Sequence, residues 1–185
     1  MLMHALCRNN SIRVAIILGG FAFLAFVGTT GAQDASGRTA PACGPANAHF
    51  KIKLSKDHPA VAQPEPGKAM VYFIQVGGPP GFHQHYTIGI GMDGAWVGAY
   101  EHDSFFAVPV APGKHHVCAE VHAFVWKGSN LALVHFTAEA GKAYFFRTQF
   151  LARPTSDLLD LERVDSDLSG YLIPSLPMSL LQPNK

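Results

Sequence analysis

The sequence predicts an all-β fold, an antiparallel β-sandwich of about seven or eight strands, and three observations support this. The chain contains 13 Phe and 5 Tyr together with frequent Val, a composition that favours strands. Short apolar runs recur along the chain and are separated by Gly- and Pro-rich turns. No long stretch places its apolar residues at helical spacing.

The first strands are predicted from alternation and turn residues. Residues 49–54 alternate apolar and polar side chains, which indicates a half-buried strand. Residues 68–76 form a nearly continuous apolar run, which is typical of a strand in the core. An Asp93-Gly94 pair joins the runs at 86–92 and 95–100 and predicts a tight hairpin turn.

The second half of the chain continues this pattern. Four further strands are predicted, at 104–110, 115–126, 131–138 and 143–150. Residues 158–165 fit either a strand or a short helical turn, and they close a sandwich domain predicted over 48–165. Residues 166–185 are interrupted by proline and are predicted to form an irregular tail.

The N-terminus has the pattern of an export signal. Arg8 and Arg13 precede an apolar stretch at 14–27, and small residues follow it. This stretch is shorter than the about 20 residues that a transmembrane helix needs. We therefore predict a cleaved signal peptide over 1–32, a linker over 33–47, and a periplasmic or secreted protein. The alternative is an uncleaved segment that tethers the protein to the inner membrane.

The cysteines fit an oxidising compartment. Cys7 leaves with the leader, so Cys43 and Cys118 remain and predict one disulfide that anchors the linker. Lipid attachment at Cys43 is not expected, because a lipid-modified cysteine directly follows the apolar stretch of the leader, and Cys43 lies well beyond it.

Charge argues against a nucleic-acid partner. Removal of Arg8 and Arg13 leaves 12 basic and 13 acidic residues, a net charge of −1, with no cluster of basic residues. A contact with membrane is expected only through an uncleaved leader.

Histidines are the residues most able to bind a metal. His83 and His85 are two apart and would face the same side of a strand, whereas the adjacent His115 and His116 would face opposite sides. A mixed imidazole site built from His83, His85 and one of His115, His116 or His102 suits zinc or copper. The alternative is that they are surface and turn histidines, and that the protein has no cofactor.

Enzymatic chemistry has little support in the sequence. The serine-hydrolase pattern G-x-S-x-G is absent, and the acidic residues at 157–167 fit a solvated strand edge better than a catalytic pair. Among the aromatic residues, Trp96 and Tyr100 follow a hairpin turn and are predicted to be an exposed pair that could line a binding groove.

Several turn motifs occur in a characteristic order: Pro-Gly-Lys-Ala at 66–69, Met-Asp-Gly-Ala-Trp-Val-Gly at 92–98, and related turn-to-strand segments at 112–119 and 138–146. Over 64–150 the chain resembles the domain-of-unknown-function family 2846. The resemblance implies a small exported sandwich related to prealbumin-like and PEGA-type modules, without catalytic residues. Many relatives in this family are lipoproteins, and this leader lacks the cysteine that acylation requires.

Together these observations predict a non-enzymatic envelope module that binds or scaffolds a protein, a peptide or a surface polymer. The alternative function is a histidine-based periplasmic metal-binding protein.

Overall fold

The computed structural model describes residues 43–45, 48–56, 63–78, 86–122, 131–151 and 158–182. All of them belong to one compact unit, Arg38–Lys185. The predicted signal peptide and most of the predicted linker lie outside the described residues. Within the described part of the chain, no helix is both long enough and apolar enough to span a membrane.

Strands dominate the described residues, which confirms the predicted mostly-β fold. The strands are β1 (Ile52–Ser55), β2 (Ala69–Gln75), β3 (Thr87–Met92), β4 (Ala95–Glu101), β5 (Ser104–Val110), β6 (Gly113–His122), β7 (Leu131–Ala138), β8 (Ala143–Leu151), β9 (Leu158–Val164) and β10 (Met178–Leu181). One short helix, α1 (Ser166–Leu172), and a 3₁₀ turn (Ile173–Ser175) precede β10. Of the two alternatives for residues 158–165, the strand is correct.

The strands form a six-stranded sheet, in the order β1-β10-β5-β2-β8-β9, and a four-stranded sheet, in the order β4-β3-β6-β7. The prediction of a purely antiparallel sandwich is wrong for the six-stranded sheet, because β2 pairs with β8 and β10 pairs with β5 in parallel. Only a short hairpin forces neighbouring strands to be antiparallel. Neither of these pairs is consecutive in the chain, so their direction is not restricted in this way.

The two sheets share one hydrophobic core. Val71 and Phe73 of the six-stranded sheet and Ile88 and Ile90 of the four-stranded sheet are fully buried within it. The ring of Phe73 also packs against that of Phe146 on the neighbouring strand β8, with ring centroids 5.9 Å apart. Burial of these side chains on both inner faces holds the sandwich together.

The described part of the C-terminal tail, residues 166–182, contains α1, the 3₁₀ turn and β10, which corrects the prediction of an irregular tail. The side chain of Asp165 caps α1 by accepting a hydrogen bond of 2.7 Å from the backbone N–H of Leu168. Ile173 and Leu176 then pack in a second buried cluster on the other face of β2. Because β2 is buried on both faces, its sequence is a continuous apolar run rather than an alternating one.

Candidate functional site

The predicted disulfide joins the N-terminal segment to the outer face of the four-stranded sheet, the side that points away from the shared core. Cys43 and Cys118 lie at disulfide distance, with their Cα atoms 5.2 Å apart, which confirms the predicted pairing. Cys118 of β6 is opposite Gly91 of β3 in the sheet register. The link therefore fixes Cys43 directly above the middle of the sheet.

Two glycines of β3 make room for this segment. A Cβ atom at Gly91 would overlap the backbone of Cys43, and one at Gly89 would lie 2.8 Å from the ring of Phe50. The backbone of Cys43 and the ring of Phe50 can come this close to β3 only because glycine has no side chain. Gly89 and Gly91 thus form a flat surface on which the N-terminal segment lies.

Trp96 also contacts the N-terminal segment. Its indole Nε1 donates a hydrogen bond of 2.9 Å to the carbonyl oxygen of Pro45. Its ring centroid lies 5.2 Å from that of Phe50 and 5.6 Å from that of His122, both in edge-on arrangements. Trp96 is half-buried. The structure gives it a role in holding the N-terminal segment on the sheet.

Tyr100 is not exposed, so the prediction of an exposed Trp96–Tyr100 pair is wrong. The register between β3 and β4 shifts at Ile90 and Gly91: Trp96 is opposite Gly91, but Gly98 is opposite Ile90. This β-bulge places one extra residue in β4 and reverses the face on which later side chains lie. Trp96 therefore faces outward, and Tyr100 faces the core with 0% of its surface exposed.

A buried chain of hydrogen bonds satisfies the Tyr100 hydroxyl. This hydroxyl lies 2.7 Å from Oγ1 of Thr148, which in turn donates to Oε1 of Gln75. The Gln75 amide then donates a bond of 2.6 Å to the carbonyl oxygen of Gly77. Burial raises the pKa of the Tyr100 phenol, and the bond to Thr148 offsets only part of that rise. Tyr100 is a structural residue of the core.

His122 occupies the edge of the aromatic cluster formed by Phe50 and Trp96. Its Nε2 is buried and has no hydrogen-bond partner among the described residues. The nearest carboxylate oxygen is Oε2 of Glu120, at 3.9 Å. Burial lowers the pKa of His122, and the opposing effect of Glu120 is smaller. His122 is therefore held as a neutral, aromatic packing residue.

His115, a predicted metal ligand, has both ring nitrogens engaged. Nδ1 lies 2.6 Å from Oδ2 of Asp93, and Nε2 lies 2.8 Å from the carbonyl oxygen of Ala111. Asp93 also accepts a bond of 2.9 Å from the backbone N–H of His116, so it joins the β3–β4 turn to β6. Burial acts to lower the pKa of His115, but the bonds to Asp93 and Ala111 outweigh it, and the net shift is upward.

This contact predicts a stability that depends on pH. The raised pKa of His115 stabilises the fold below its ordinary value of 6.5, and that contribution is lost as the pH rises through the folded value. The two bonds that Asp93 accepts lower its pKa below 3.8 despite partial burial, so its contribution is present above that value and lost in stronger acid. We expect His115→Gln to destabilise the fold more at pH 5 than at pH 9, by about 1 kcal/mol or less. Urea unfolding of the wild-type and His115→Gln proteins at pH 5 and pH 9 measures the difference. An equal or larger cost of the substitution at pH 9 would contradict the raised pKa of His115.

Of the other histidines predicted as metal ligands, His102 and His116 lie in the described residues. His83 and His85 lie outside the described residues. Within the described ranges, no group of three His, Cys, Asp or Glu side chains is close enough to hold a metal ion. The structure does bring His116 beside His135 of β7, a residue that sequence reasoning missed. The register between β6 and β7 brings the two residues together, and the period-two pattern of each strand alone does not specify that register.

The outer edge of β7 differs from the other three sheet edges. Among the described residues, no strand pairs with this edge. Its eight residues include no Asp, Glu, Lys, Arg or Pro, and they show no bulge against β6. Leu131 and Leu133 on this strand are 39% and 60% exposed. Such an edge lacks the protection that charge, proline or a bulge gives against pairing with another chain.

The other edges are short, charged or covered. β1 has four residues and carries Lys53. β9 carries Asp160, Glu162 and Arg163. At β4, the hydroxyl of Ser179 from β10 donates a hydrogen bond of 2.9 Å to the carbonyl oxygen of Ala99, so β10 covers part of that edge.

Comparison with known proteins gives no relative for this fold and site: no protein-family model, curated protein or solved structure matches the chain.

Proposed function

We propose that this protein is a non-enzymatic, exported binding module that recognises an extended polypeptide segment by adding it as a strand to β7. The observation that carries the proposal is the contrast between the edges. Short length or charge protects β1 and β9, and β10 covers part of β4, whereas β7 is eight residues long, carries no charge or proline, and exposes Leu131 and Leu133, although β9 of the other sheet lies close to it.

The chemistry of β7 specifies the partner. An unpaired edge offers backbone N–H and C=O groups, which bind another backbone in the extended conformation. Leu131 and Leu133 provide apolar contacts on one face, and the absence of charge on the strand favours a segment with apolar side chains at alternate positions. A folded protein with an exposed strand, or an unfolded segment of an envelope protein, supplies such a segment.

Export is part of the proposal. The Cys43–Cys118 pair at disulfide distance supports it, because disulfides persist in oxidising compartments. The leader over residues 1–32 supports it independently. The resemblance to family 2846 over residues 64–150 is consistent with an exported sandwich of the prealbumin-like type, and we propose that relationship on the turn motifs alone.

A panel of ten-residue peptides with apolar residues at alternate positions tests the binding. We expect the purified protein to bind members of the panel and to bind scrambled versions without the alternation at least tenfold more weakly. Leu133→Lys should weaken binding by about tenfold or more, because burial of a leucine side chain contributes about 1.5–3 kcal/mol. Fluorescence anisotropy of labelled peptides measures both effects.

Leu181→Lys is the matched control, since Leu181 is 49% exposed on β10, away from β7. It makes the same chemical change and should leave peptide affinity unchanged. The proposal is wrong if no alternating peptide binds more tightly than its scrambled version, or if both lysine variants weaken binding equally.

A further inference from the structure

We propose that His116 and His135 form a surface site for a divalent transition metal, copper in preference to zinc. The two residues are direct cross-strand partners in the pairing of β6 with β7. Their imidazole centroids lie 6.3 Å apart, with the ring planes inclined by 43°. This site shares only His116 with the histidines that the sequence predicts as ligands.

The separation of the rings suits two ligands on one ion. At a metal–nitrogen distance of about 2.0–2.1 Å, the centroids of two imidazoles lie about 5 Å apart on a tetrahedral ion and about 6 Å apart when the ligands are opposite each other. The observed 6.3 Å is slightly larger than the value for opposite ligands, so it fits that arrangement better than the tetrahedral one. Both side chains are exposed, so rotation about their side-chain bonds can direct one nitrogen of each ring to a shared point.

Both imidazoles are available to a metal. No hydrogen bond joins either ring to another described residue, in contrast to His115, whose two nitrogens are engaged. Asp93 holds the backbone N–H of His116 at 2.9 Å and thereby fixes the position of one ligand.

Copper is favoured by the number and type of ligands. Imidazole suits copper, zinc and nickel, and affinity for a given site rises to a maximum at copper in the series of divalent first-row metals. Two imidazoles leave the remaining coordination positions to water. Two imidazoles opposite each other in a square-planar arrangement, the geometry nearest to the observed centroid distance, satisfy Cu²⁺ better than they satisfy the four-ligand tetrahedron of structural zinc.

A titration of the tag-free exported protein with Cu²⁺ and with Zn²⁺, followed by calorimetry, tests the site. We expect one Cu²⁺ per chain, weaker binding of Zn²⁺, and weaker binding of both at low pH, because protons compete for the imidazoles. His116→Ala and His135→Ala should each lower the Cu²⁺ affinity at least tenfold. His49→Ala, an exposed histidine outside the pair, is the control and should bind as the wild type does.

Paramagnetic broadening provides a second readout that does not depend on affinity alone. Amide signals of β6 and β7 around His116 and His135 should broaden first as Cu²⁺ is added. The site is refuted if the His116→Ala and His135→Ala variants bind Cu²⁺ as tightly as the wild type, or if broadening is centred elsewhere. Loss of binding in a His83→Ala, His85→Ala double variant that keeps His116 and His135 would also overturn it.

Discussion

Replacement of Cys43 or Cys118 by alanine is expected to lower the free energy of unfolding by about 2–5 kcal/mol. The link closes a loop with a sequence separation of 75 residues, and release of that constraint stabilises the unfolded chain. Both cysteines are at most 1% exposed, so alanine avoids the cost of burying a new hydroxyl. Urea unfolding of the oxidised protein measures the change.

The two cysteine substitutions should not be additive. Either one removes the same bond, so the double variant should be about as stable as each single variant. Wild-type protein kept reduced, or produced in a reducing compartment, should match it. Two reactive thiols at Cys43 and Cys118 in protein produced in an oxidising compartment and purified without reductant would contradict the disulfide, as would a double variant whose cost is the sum of the two single costs.

Gly91→Ala is expected to cost about 1–3 kcal/mol, the usual range for overfilling a packed site. The new methyl group overlaps the backbone of Cys43, which the link to Cys118 prevents from moving away. In a Cys43→Ala background the N-terminal segment is free to shift, so the same glycine substitution should cost less. A double-mutant cycle followed by urea unfolding gives this coupling energy.

Gly170→Ala is the matched control for Gly91→Ala. Gly170 lies in α1, and a Cβ atom there would meet nothing within 4 Å. Both substitutions restrict the unfolded chain in the same way, but at Gly170 the better helix propensity of alanine should stabilise the fold by up to about 1 kcal/mol. Equal effects of the two substitutions, or a Gly91 cost that is unchanged without the disulfide, would show that Cys43 does not pack on Gly91.

Local patterns were sufficient to predict most of the strands and the Asp93-Gly94 turn. Asp93 and Gly94 both have positive φ, at 53° and 83°, as the tight hairpin requires. The cysteine pair was also predictable, since two cysteines in a chain with the pattern of an export signal have one simple use. In each case the residues that determine the structure are neighbours in the sequence or have only one possible partner.

Features that depend on long-range pairing could not be predicted. The parallel pairing of β2 with β8 and the strand β10 depend on contacts between distant segments. The bulge in β4 turned Tyr100 into the core; Gly98 beside the extra residue is a local sign of a bulge, but glycine also occurs in strands where another segment packs closely, so it does not specify one. The His116–His135 pair requires the register between β6 and β7, which periodicity alone does not specify.

Amide hydrogen exchange of the protein with and without a bound alternating peptide tests the strand-addition proposal most directly. Strand addition gives the free backbone groups at the edge of β7 new hydrogen bonds, so exchange should slow at amides of Leu131–Ala138 while the edges of β1 and β9 keep their rates. Slowed exchange at another edge or around Trp96, with β7 unchanged in the complex, would contradict the proposal.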